Sequence, residues 1–159
     1  MIFDSHRPSK AINSHLPTQF IPRNIVSLLT STWKMKFTED QKIALARASM
    51  MMLRADGHAK VDETMFTVSY WQNIGIDASY YERCKALSDE DTILTLKSLD
   101  EEQKRFTSAF LGTLMSIDKD IAPQEERLMQ YLCDQCQLPQ MTIEEAQLEF
   151  REYSLTAFL

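Results

Sequence analysis

The chain has 159 residues and a mass of 18.4 kDa, which suits one domain with its own hydrophobic core. Hydrophobic residues make up 44% and glycines number only three, a composition that argues against a turn-rich β protein. The formal net charge of −6 argues against nucleic-acid binding, which needs a basic face, and three cysteines are too few for a disulfide framework.

Residues 1–34 differ in composition from the rest of the chain. They mix Pro, Ser, Asn and His without a helical period, so we expect an N-terminal extension that is loosely ordered or docked. Its apolar tract IVSLLTSTW is far shorter than the ~20 residues of a spanning helix, and Pro22 and Arg23 interrupt any signal-peptide core. We therefore expect no transmembrane segment and a cytoplasmic protein, with peripheral association to a membrane complex still open. Met35 is an alternative start of translation.

Residues 35–159 carry recurrent helix signals and no sustained alternation, which predicts an all-α domain without a sheet. A hydroxyl residue followed three positions later by an acid or amide marks helix starts at Thr38, Ser79, Ser88 and Thr142. Pro123 suits a first helical turn, and Gly75 suits the residue after a helix. The pattern predicts a compact bundle of about seven helices, at 38–55, 62–74, 79–87, 89–97, 100–117, 123–136 and 142–154.

Two acidic corners in this domain have the same spacing. Asp56 precedes Glu63 by seven residues, and Asp118 and Glu125 repeat that spacing 62 residues later. Each corner joins a long apolar helix to a second helix, so the sequence predicts an internal two-fold repeat of helical hairpins. Two such hairpins commonly pack about a pseudo-twofold axis, which would bring the corners together.

Carboxylate oxygens are the ligands that hard divalent cations prefer. If the corners meet, they could share one calcium, magnesium, manganese or zinc ion. The predicted metal ligands are Asp56, Glu63, Asp118 and Glu125, with His58, Asp62 and Asp120 as additional candidates. The alternative is helix capping without metal, because a negative charge is favourable in the first helical turn, where both glutamates fall.

The sequence permits three other interpretations. Asp56, Gly57 and Glu63 match positions five, six and twelve of an EF-hand loop, but Met52 and Arg54 at positions one and three exclude a complete one. The CxxC at 133–136 follows no predicted strand, so core packing is favoured over redox or metal chemistry. Paired carboxylates can catalyse hydrolysis, but no nucleophile with a base is evident, so we expect no enzyme, with a metal-dependent hydrolase as the weaker alternative.

The paired corners resemble the TerB-like family, named for a tellurite-resistance protein and related to the N-terminal domain of a DnaJ-like membrane co-chaperone. That family's pattern is a helix ending Ala-Asp-Gly, an aliphatic step and a Glu that opens the next helix, in two copies. Here RADGHAKVDE carries the first copy and SIDKDIAPQE the second. The resemblance covers roughly residues 35–140.

The resemblance implies an all-helical domain whose acidic cluster binds metal and whose members act in stress responses and complex assembly. We therefore expect a non-enzymatic, metal-binding interaction module of a stress-response or envelope-linked complex, with a protein partner. The alternative is a metal-free helical adaptor. The sequence departs from the family at Lys119, which replaces the second Gly. If His58 and Ala59 are an insertion, Met65 instead of Glu63 takes the family's glutamate position.

Overall fold

The structure, a computed structural model, describes residues 35–156, with side chains as far as residue 154. The predicted extension at residues 1–34 lies outside the described residues. Between residues 35 and 156 there is no strand, and there are seven helices: α1 (Glu39–Leu53), α2 (Val61–Asn73), α3 (Tyr80–Ala86), α4 (Asp89–Lys97), α5 (Glu101–Met115), α6 (Pro123–Cys136) and α7 (Ile143–Thr156). The predicted all-α bundle is confirmed. Both long helices end two residues earlier than predicted, because the chain turns before each acidic corner.

Most helix starts form as predicted from their capping residues. Thr38 and Gln41 cap each other's backbone N–H groups at the start of α1, and Thr142 does the same with Glu145 before α7. The Ser88 hydroxyl accepts the backbone N–H of Asp91. At Ser79 the helix start is confirmed, since α3 begins at the next residue, but the expected side-chain cap is absent because the Ser79 hydroxyl donates to the Asp77 carboxylate instead.

The core is built around α1 and α5, the two long helices. Leu45 and Met52 of α1 and Phe110 and Leu114 of α5 are almost completely buried. Burial of such a side chain contributes roughly 1.5–3 kcal/mol. Tyr70 of α2 extends this core, because its ring lies 5.0 Å from that of Phe110.

The helix boundaries repeat at the predicted offset of 62 residues. Helices α1 and α5 both have 15 residues, beginning at Glu39 and Glu101, and α2 and α6 begin at Val61 and Pro123. Across the repeat, the side-chain amides of Gln41 and Gln103, 62 residues apart, exchange hydrogen bonds of 3.4 and 3.2 Å. The two hairpins therefore contact each other through equivalent residues.

One close approach sets the position of the last helix. Helix α7 packs against α5, and a Cβ placed on Gly112 of α5 would lie 2.8 Å from the Cβ of Ala146. Side chains cannot normally approach so closely, so the absence of a side chain at Gly112 is what lets the two helices meet.

Candidate functional site

The two acidic corners have the same backbone conformation; we call them elbows, at residues 54–60 and 116–122. In the first, the Asp56 carboxylate accepts the backbone N–H of His58 at 2.8 Å. In the second, the Asp118 carboxylate accepts the backbone N–H of Asp120 at 3.0 Å. Such turns explain why an aspartate sits just beyond the end of each long helix, where its charge faces the unfavourable end of the helix dipole.

The two glutamates lie in the first turns of α2 and α6. Glu63 and Glu125 are each only 2% exposed. Glu125 accepts the backbone N–H of Ala122 at 2.7 Å, whereas Oε1 of Glu63 is buried and accepts no hydrogen bond. Met65 is 64% exposed, so Glu63 and not Met65 is the buried residue of α2 that corresponds to Glu125.

A lysine joins the elbows. The Lys60 ammonium pairs with Oδ2 of Asp118 and lies 3.7 Å from Oε1 of Glu63 and 3.9 Å from Oδ2 of Asp56. Glu125 is near enough to act on the same ammonium electrostatically. The structure thus brings the four predicted carboxylates to one place, which we call the elbow pocket: Asp56, Lys60, Glu63, Asp118 and Glu125.

The pKa shifts in the elbow pocket reflect crowding of like charges out of water. Burial raises the pKa of Glu63 and of Glu125, and the neighbouring aspartates add to both shifts. The hydrogen bond from Lys60 lowers the pKa of Asp118 and raises that of Lys60 itself. One ammonium therefore faces up to four negative charges, and the pocket keeps an excess of negative charge when all of them are ionised.

The carboxylate oxygens of the pocket suit a hard cation, but in the structure they surround the Lys60 ammonium. Within residues 35–156, no three side chains among His, Cys, Asp and Glu are arranged to hold a metal ion. The additional candidates His58, Asp62 and Asp120 are exposed. A metal held by the four pocket carboxylates would have to take the place of the Lys60 ammonium.

Lys60 was missed by the sequence analysis, although a signal was present. It lies four residues after Asp56 and three before Glu63, within a stretch otherwise marked by its acids. Such spacing predicts local pairs only within a regular helix. Lys60 instead precedes α2, and its strongest contact is with Asp118, 58 residues away in sequence. That contact depends on how the two hairpins pack.

The remaining predictions concern the cysteines and the membrane. Cys133 and Cys136 are free and buried, and burial raises the pKa of Cys136 to about 11, which favours core packing over redox chemistry. None of the helices between residues 35 and 156 is long and apolar enough to cross a membrane.

The architecture is that of a small all-helical protein with duplicated hairpins. No family profile and no curated protein matches the sequence. Among solved structures, the chain is similar to the crystal structure of PG1108, a protein of unknown function from Porphyromonas gingivalis W83. The two share 25% sequence identity and a TM-score of 0.67, over 76% of this chain and 95% of PG1108.

Proposed function

We propose that this protein is a non-enzymatic interaction module that binds a divalent cation in the elbow pocket. The observation that carries the proposal is the convergence of four carboxylates from two hairpins on a single position. In keeping with the TerB-like resemblance, the module would work in the cytoplasm as part of a stress-response or envelope-linked complex, with a protein partner.

One buried side-chain atom of the pocket also favours a positive charge. The helix ends do not decide the sign, because α1 and α5 end at the elbows while α2 and α6 begin there, and the partial charges of the two kinds of helix end are opposite. The buried Oε1 of Glu63 accepts no hydrogen bond, an arrangement that is costly unless a cation satisfies it. This oxygen lies 3.7 Å from the Lys60 ammonium, so a cation at the centre of the pocket would be close enough to satisfy it.

The chemistry of the ligands narrows the choice of ion. Four carboxylates without a nitrogen or sulfur donor suit calcium, magnesium or manganese. Zinc prefers histidine and cysteine; His58 is exposed, and its contact with Asp56 runs through its backbone N–H. Bound to the pocket, the ion would offset two of the four negative charges and hold the two hairpins together.

Thermal melting tests the proposal. The protein is melted in chelator and then in millimolar calcium, magnesium, manganese or zinc. A bound ion raises the melting temperature progressively with its concentration, because it binds only the folded state. We expect the rise with at least one of the first three ions and its loss in the double variant Asp56→Asn, Asp118→Asn.

The matched control is Asp40→Asn, Asp134→Asn, which makes the same change of charge at two exposed positions. Asp40 lies at the start of α1 and Asp134 near the end of α6, each at the far end of its helix from the elbow pocket. This control should respond to the ion as the wild type does. A wild-type melting temperature that is independent of all four ions would contradict the proposal.

A second candidate, a metal-free helical adaptor, is favoured by one surface. Val61 and Met65 are 71% and 64% exposed on the outer side of α2, and Val68 continues the same stripe. The equivalent positions of α6, 62 residues on, carry Pro123, Arg127 and Gln130.

An adaptor would keep a partner on the apolar stripe of α2 with no ion present. Met65→Glu would then weaken a complex isolated in chelator, whereas the Asp56→Asn, Asp118→Asn variant would not.

A further inference from the structure

The elbow pocket is symmetric in its acids but not in its base. Asp56 corresponds to Asp118 and Glu63 to Glu125, each pair 62 residues apart. Lys60, in contrast, corresponds to Ala122, which has no charge. A single ammonium therefore enters the pocket, and it comes from the first hairpin.

From this asymmetry we infer that Lys60 is a built-in counter-ion that competes with the divalent cation: the ion enters the elbow pocket as the lysine side chain leaves it. The inference rests on the proposed cation-binding function and adds to it how binding is regulated. With the lysine in place, the pocket is partly neutralised; with the ion in place, the lysine is released to solvent.

The geometry makes simultaneous occupancy unfavourable. The Lys60 ammonium lies within 3.9 Å of carboxylate oxygens of Asp56, Glu63 and Asp118, which are the oxygens that an ion would use. A cation among those oxygens would lie only a few ångströms from the ammonium, where repulsion between like charges is strong even at an effective dielectric constant of ~20.

The lysine can also leave without refolding of the domain. Its side chain is 30% exposed, so one side of the pocket already faces solvent. It lies just before α2 and makes no side-chain cap to that helix. Rotation about its four-carbon stem is sufficient to move the ammonium into water while the elbows keep their backbone hydrogen bonds.

The first test compares cation affinity with and without the lysine. Lys60→Met keeps much of the side-chain volume and removes the charge, and Lys85→Met removes a lysine from an exposed ion pair with Glu82. Binding is measured by titration with Mn²⁺, following the free ion by its paramagnetic resonance signal, which does not depend on protein stability. We expect Lys60→Met to bind Mn²⁺ at least roughly tenfold more tightly than the wild type, and Lys85→Met to bind as the wild type does.

The outcomes separate this inference from the proposed function. If the wild type binds Mn²⁺ and Lys60→Met binds it no more tightly, the inference is wrong and the cation site stands. If neither binds the ion, both are wrong. If only Lys60→Met binds it, the competition is supported, and the wild type acts as the metal-free adaptor instead.

The second test uses the wild-type protein and so does not depend on how the variant folds. Surface amines are acylated with an N-hydroxysuccinimide ester, and the rate at each lysine is followed by mass spectrometry of peptides. In chelator, Lys60 should react more slowly than Lys85, which is 47% exposed. Saturating Mn²⁺ should accelerate the reaction at Lys60 severalfold and leave Lys85 unchanged. Bound Mn²⁺ with an unchanged rate at Lys60 would overturn the inference.

Discussion

Gly57 and Lys119 occupy equivalent positions in the two elbows, and both adopt a left-handed backbone, with φ angles of +86° and +66°. The departure of Lys119 from the TerB-like pattern therefore changes the residue and keeps the conformation. Glycine adopts this conformation at no steric cost, whereas a residue with a Cβ is strained there. The second elbow therefore keeps a backbone conformation that its own residue, Lys119, disfavours.

We expect Lys119→Gly to raise the free energy of unfolding by about 1 kcal/mol, because it removes this strain. Urea denaturation in chelator measures the change. Gln137, at the far end of α6, also has a left-handed backbone, so Gln137→Gly is the matched control and should stabilise by a similar amount. Gly57→Ala should lower the free energy of unfolding by about 1 kcal/mol. A Cβ at this position would have no atom within 4 Å, so the cost comes only from holding alanine in a left-handed backbone conformation. A destabilising Lys119→Gly would show that the ammonium of Lys119 matters more than its backbone.

The stability of the protein should depend on the pH through the buried glutamates. Burial raises the pKa of Glu63 and Glu125 above their ordinary value of 4.5, so the folded state binds protons more tightly than the unfolded state. Their contribution to stability is present at low pH and lost as the pH rises through the raised pKa values. Asp118 acts in the opposite direction, since its lowered pKa gives stability that is lost as the pH falls below 3.8.

We therefore expect the double variant Glu63→Gln, Glu125→Gln to lose less stability than the wild type between pH 4.5 and 8. Urea denaturation in chelator at a series of pH values measures the difference, which should grow as the pH rises. Glu144→Gln, on an exposed position of α7, should keep the wild-type dependence. A double variant that follows the wild-type curve would mean that Lys60 compensates both glutamates fully.

The contact of α5 with α7 should be sensitive to a single methyl group. Gly112→Ala places a Cβ 2.8 Å from that of Ala146, and we expect it to destabilise the fold by roughly 1–3 kcal/mol. Ala146→Gly removes the opposing methyl, so the double variant should recover part of that loss in a double-mutant cycle. Strictly additive effects of the two substitutions would show that the helices are not in contact at this point.

Much of the fold follows from local signals in the sequence. The capping residues Thr38, Ser88 and Thr142 and the first-turn Pro123 fix helix starts through chemistry within a few residues. Ser79 shows the limit of such signals, because its hydroxyl had a nearer partner in Asp77. The close approach at Gly112 depends on which helix packs there, which no local pattern shows.

The elbow pocket was likewise predictable only in part. The shared spacing of Asp56 with Glu63 and of Asp118 with Glu125 led to the expectation that the corners meet, and the structure brings them together around one ammonium. The role of these carboxylates as metal ligands stays a prediction. Lys60 could not be assigned from its neighbours, since its closest partner lies 58 residues away in sequence.

The hydrogen-bonded amides of Gln41 and Gln103 hold the beginnings of the two long helices together, while the elbows meet at the other ends. The two hairpins therefore bring equivalent residues together at both ends of the long helices, as the subunits of a symmetric dimer would. Two identical subunits, however, would place either two lysines at the shared pocket or none. Because the two halves belong to one polypeptide, their sequences can differ, and a single lysine can lie at the centre of two equivalent pairs of carboxylates.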